Sequence, residues 1–143
     1  MATISPQEME SRVAARYMTF LILWFAMLMS VTIFVGIAWI VTGQGMPNPL
    51  MSYALLAVGF SIVVVSFVLK QQLVRKAIDN RDLAALQSAQ IIAMALCESA
   101  ALLGMLDRFV TASQTSWFLF AIASLGMLAH FPKKDHVRAA TSK

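Results

Sequence analysis

The chain has 143 residues, of which 59% are hydrophobic and 13% charged, with a mean hydropathy of +0.75. A soluble domain carries about 25% charged residues. Between Arg16 and Lys70 the only ionisable side chains are Tyr17 and Tyr53, so a water-soluble fold is excluded. The net charge of +4 does not point to nucleic acid. The basic residues flank apolar segments, where they set topology and meet anionic headgroups.

In chain order, Ser5-Pro6-Gln7-Glu8 is a helix start, with a capping serine, a proline and a glutamate three residues after the serine. The apolar run that follows is too long for the core of a secretion signal, and no small-residue cleavage site follows it closely, which predicts an uncleaved N-terminus. It is the first membrane span, over about 17–41, and Gly43-Gln44-Gly45-Met46-Pro47-Asn48-Pro49 breaks it. Asn48-Pro49 then reads as the cap and first residue of helix two, whose span is about 50–69. The charged stretch Lys70 to Asp82 has no glycine or proline and reads as a helical extension, a turn near Asp79-Asn80 and the start of helix three. Helix three runs from about Arg81 to Val110, with its span over 83–106. A polar turn, Thr111 to Ser116, leads to a fourth span over about 117–131, which Pro132 stops. The segment 133–143 reads as a basic, frayed tail.

The predicted fold is all-α: one integral membrane domain over 1–143, a four-helix up-down bundle. Of the 11 lysines and arginines, all but Arg108 fall on one side of it. The positive-inside rule then puts both termini in the cytoplasm and the chain in the inner, or cell, membrane. Tyr17 marks the inner interface, and Trp39, Tyr53 and Trp117 the outer one.

Glu98 is the principal candidate site. It lies among apolar residues, about 18 Å from the inner boundary by helical rise. A charged acid at that depth costs several kcal/mol, so it is expected to face protein and to be neutral or partnered. No lysine or arginine reaches that depth. Ser30, Thr32 and Ser61 are the hydroxyls within reach by depth and are expected partners. Two readings follow. Glu98 reversibly binds a proton or a sodium ion, or it is a neutral acid that hydrogen-bonds a neighbouring helix. Around it Ala89, Ala93, Cys97 and Ala101 recur every four residues, and Ala100 pairs with Gly104. Such ridges let helix backbones approach closely, within the bundle or in an oligomer.

The segment Gln87 to Leu106 resembles the carboxylate helix of the rotary ATPase proteolipid, subunit c, through Ala95, Leu96, Glu98, Ala101 and Gly104. The resemblance covers roughly residues 81–106, and it implies an ion-binding carboxylate at Glu98. The chain departs from that family elsewhere. Helix two offers only Gly59 toward a glycine ridge, and the loop shows Arg75-Lys76 and Asn80-Arg81 in place of Arg-Gln-Pro. Both termini are expected inside rather than outside. The resemblance thus implies a proteolipid-like hairpin flanked by two further spans, not the ring subunit itself.

The other candidates are weaker. His130, in His130-Phe131-Pro132, is expected at headgroup level, and His130 and His136 are too peripheral to ligate a haem. Asp107-Arg108 reads as a solvated pair. The single cysteine, Cys97, forbids an intrachain disulfide, and no metal-ligand, nucleophile or phosphate-loop spacing occurs. No enzyme activity, cofactor or metal is expected. The expected partners are the lipid bilayer and other membrane subunits or further copies of the chain. The alternative to ion binding is a non-catalytic structural or assembly subunit of a membrane complex.

Overall fold

The computed structural model describes residues 6–41 and 45–141. The expected serine cap at Ser5, the breaker residues Gly43 and Gln44, and Lys143 lie outside them. Five helices occur among the described residues: α1 (Pro6–Ile40), α2 (Pro49–Asp79), α3 (Leu83–Thr111), α4 (Ser116–Ala129) and α5 (Lys134–Thr141). Three of them, α1 to α3, are long and apolar enough to cross a membrane. The fourth, α4, is apolar but has 14 residues, a rise of about 21 Å against a hydrocarbon core of about 30 Å.

Local chemistry fixes the boundaries. The Asn48 side chain accepts from the Met51 N–H at 3.1 Å, and Pro49 follows as the first helical residue. Between α2 and α3, Arg81 takes φ of 51°, and the Asp82 carboxylate accepts from the Ala85 N–H at 3.0 Å. This tight αL turn makes α2 and α3 an antiparallel hairpin. Ala112, with φ of 52°, ends α3.

The central helix is α3, where Ala93, Cys97, Ala100 and Ala101 have no exposed surface. The small residues let α2 and α4 close on it. A methyl group on Gly104 would stand 3.0 Å from Leu119 Cβ, and one on Gly126 would stand 3.0 Å from both Cys97 Sγ and Val63 Cγ1. The chain itself thus occupies much of the ridge of Ala93, Cys97 and Ala101. Gly59 is buried against Leu119 of α4. The backbones of α3, α4 and α5 approach α1 closely and that of α2 does not, so α1 and α2 flank the α3–α4 pair. Along α1 the side chains of Met18, Ile22, Phe25, Met29, Ile33 and Ile37 form an exposed apolar stripe at helical spacing.

One expectation is corrected here. The tail folds as α5, because Val137 and Ala140 bury themselves with Val13 and Phe20 of α1, Val74 of α2 and Leu86 of α3. Lys134 and Arg138 meet Glu10 at 3.0 and 2.9 Å. The start of α1, the α2–α3 turn and α5 therefore share one end of the bundle. At the other end Trp39 and Trp117 meet edge to face, their ring centres 5.6 Å apart.

Candidate functional site

Glu98 sits near the middle of α3, half-buried on the seam with α1. Ser30 of α1 donates its hydroxyl proton to Glu98 Oε1. The other two expected partners are not partners. Thr32 donates to Leu28 O at 2.9 Å and Ser61 to Ala57 O at 2.8 Å, each within its own helix and on an exposed face. The reason is rotational. Depth alone selected these hydroxyls, and helical phase turns Thr32 away from the seam and Ser61 out of the bundle. Among the described residues no cation pairs with Glu98.

Cys97, the preceding residue, turns about 100° away from the seam, into a polar group toward the α5 end of the bundle. Ser66 of α2 is fully buried and donates to Val63 O at 2.6 Å. Its only proton is then used, so His130 Nε2–H, 2.9 Å away, and the Cys97 S–H, at 3.5 Å, act as donors to Ser66 Oγ. The His130 carbonyl accepts from Lys70 Nζ at 3.1 Å and from the Gln90 amide. The ring of Phe67 lies 4.4 Å from the His130 ring. His130 is thus fully buried, a correction to its expected headgroup exposure: it caps α4 from inside the bundle.

A second carboxylate, Asp107, contradicts the expected solvated pair. It has no exposed surface, and Arg108 does not bond it. The Ser52 and Thr111 hydroxyls each lie 2.7 Å from Asp107 Oδ1, and Thr115 Oγ1 donates to Oδ2 at 3.1 Å. Ser113 Oγ, 2.6 Å from Thr115 Oγ1, extends the chain of hydroxyls. Arg108 turns instead over the Trp117 ring, 5.7 Å from its centre. The sequence held a signal for part of this cluster: Asp107 and Thr111 are four residues apart on α3, so that hydroxyl stacks over the acid, whereas Thr115 arrives through the turn after Ala112. What the spacing does not show is Ser52, brought in across the α2–α3 hairpin.

Among the described residues no group of three or more His, Cys, Asp and Glu side chains is arranged to hold a metal. No protein family, curated protein or solved structure matches this chain in comparisons with all three.

Proposed function

We propose that this chain is a proteolipid-like, four-span protein of the inner membrane in which Glu98 reversibly binds a proton or a sodium ion, within an oligomer or a larger complex. The observation that carries the reading is the Ser30–Glu98 contact: an acid at mid-span with one hydroxyl donor and, among the described residues, no countercharge. Hydrocarbon disfavours a bare carboxylate, so a partner that reaches this acid, a proton or a cation, is favoured there. Half-burial on the α1–α3 seam leaves a face for that approach. The basic end of the bundle is taken as cytoplasmic, and α4 crosses with its polar flanks drawn toward the interfaces. Proton or sodium uptake by the purified chain, compared with Glu98→Gln, tests the proposal. The amide keeps the shape but cannot release a proton. Uptake by wild type and none by the variant is expected; equal uptake removes the ion from Glu98. Reporter fusions within Lys70–Asp82 should read as cytoplasmic, and those within Thr111–Ser116 as external.

The same contact supports a second reading, a structural or assembly subunit of a membrane complex. A hydroxyl bonded to a neutral acid across α1 and α3 is also what holds two spans together. Under it Glu98→Gln retains full activity of whatever complex contains the chain.

A further inference from the structure

At the end of the bundle that carries α5, a pocket of about 450 Å³ opens between α2, the end of α4 and α5. Lys70 and Arg75 stand on its α2 wall, and Lys133 and His136 line the side formed by the α4–α5 connection and α5. Asp79 is the one acid among the lining residues. None of Lys70, Arg75 and Lys133 has a carboxylate within ion-pair distance among the described residues. The field is sensed by His136, whose proton affinity is lowered first by burial and then by the charges of Lys133 and Lys70. The wall also holds His130, which is fully buried and whose Nδ1 has no hydrogen-bond partner. At the Lys70 end the pocket is apolar, through Phe67 and Phe131, while Val74 and Ile78 alternate with the charged residues along the α2 wall. Phe131 is exposed, and Phe67 packs against His130.

A cationic wall with an aromatic end has the polarity of an amphiphile. We propose that this pocket binds a phosphate group, and that its usual source is the headgroup of an anionic phospholipid whose acyl chain lies along Phe67 and Phe131. Basic pockets between spans serve this purpose in general, since low local dielectric strengthens each charge–phosphate contact. The site does not involve Glu98, so it stands or falls apart from ion binding.

The test uses the full chain in nanodiscs of phosphatidylcholine, with and without phosphatidylglycerol, and reads bound lipid and thermal stability. Wild type should retain phosphatidylglycerol through purification and melt at a higher temperature with it. The double variant Arg75→Gln/Lys133→Gln removes two exposed charges whose side chains make no bond among the described residues, so it should fold normally. Each lost charge is worth about fivefold near a headgroup, so its affinity should fall roughly 25-fold. The control, Lys76→Gln/Arg81→Gln, removes two charges at the same end but outside the pocket, and should bind as wild type. Inorganic phosphate at millimolar concentration separates the sources. If it gives the same stabilisation and displaces the lipid, the site is a free-phosphate site; if it does neither, the lipid is the ligand. Equal losses in both double variants, or none in either, would overturn the pocket and leave only a diffuse basic surface.

Discussion

Glu98 and Asp107 lie on one helix, nine residues apart, which is two and a half turns and about 13 Å of rise. Half a turn of phase sends them to opposite sides of α3. Asp107 faces α2 and the start of α4, is wholly enclosed, and receives three hydroxyl donors. Glu98 faces α1, is half-open, and receives one. Two acids on the same apolar span therefore do different work. The first has its acceptor capacity taken up by the fold and holds the Trp39–Trp117 end of the bundle together. The second has capacity to spare. Counting donors, rather than noting an acid in a membrane, separates a structural carboxylate from a candidate for exchange.

The largest effect should come from emptying the enclosed site. Asp107→Ala removes the shared acceptor of the Ser52, Thr111 and Thr115 hydroxyls, leaving them the Asp107 carbonyl, the Thr111 hydroxyl and the Ser113 hydroxyl, and should cost about 2–3 kcal/mol. Denaturant titration in mixed micelles should show it as a large fall in midpoint. Glu98→Ala, losing one bond on an open seam, should cost about 1 kcal/mol or less. Equal costs for the two alanine variants would erase the distinction.

A packing substitution sharpens the same contrast. A methyl on Gly104 would stand 3.3 Å from the Ser116 carbonyl as well as 3.0 Å from Leu119 Cβ, so the α4 backbone must give way. Gly104→Val should cost about 1–3 kcal/mol and act at the Asp107 end. Gly36 has nothing within 4 Å of a built methyl, and Gly36→Ala should leave the midpoint unchanged or raised. A loss at Gly36 equal to that at Gly104 would show that helix length, not close approach, governs both.

Much of this was legible beforehand, in uneven measure. Helix limits followed from local rules: Asn48-Pro49, the turn after Asp79 and Pro132 act within a few residues of where they stand. The membrane character followed from the long uncharged run. Helical phase between different helices was not legible. It alone decides that Ser30 reaches Glu98 while Thr32 and Ser61 do not, and that Ser52 and Thr111 converge on Asp107. Nor was α5 legible, because Val137 and Ala140 gain their burial only against α1, α2 and α3, which no local window contains.

Ser30 and Glu98 offer a finer test of whether the seam is a fixed joint. In a double-mutant cycle of Ser30→Ala and Glu98→Ala, which removes donor and acceptor in turn, a coupling of about 0.6 kcal/mol is the ordinary value for a bond between spans. A coupling near zero would mean that the hydroxyl and the acid part readily, as an exchange site requires. A coupling above about 1.5 kcal/mol would make Glu98 resemble Asp107 and favour the structural reading.

The smallest effect belongs to the surface pairs that fasten α5. Glu10 stands seven residues ahead of the apolar run that begins at Tyr17, and its carboxyl is held below the usual 4.5 by hydrogen bonds from Lys134 and Arg138. A carboxyl whose proton affinity is lowered by folding adds stability that is fully present above its ordinary value and is lost as pH falls through the lowered one. A nitroxide label at position 135 should therefore gain mobility as pH drops below 4.5 in wild type. In Glu10→Gln it should be more mobile at neutral pH and insensitive to the same titration. Both partners are exposed, so high salt should mimic much of the variant. The apolar contacts of Val137 and Ala140 do not titrate, and they keep α5 docked throughout. Complete release of α5 in Glu10→Gln would mean that charge, not burial, holds this end of the bundle closed.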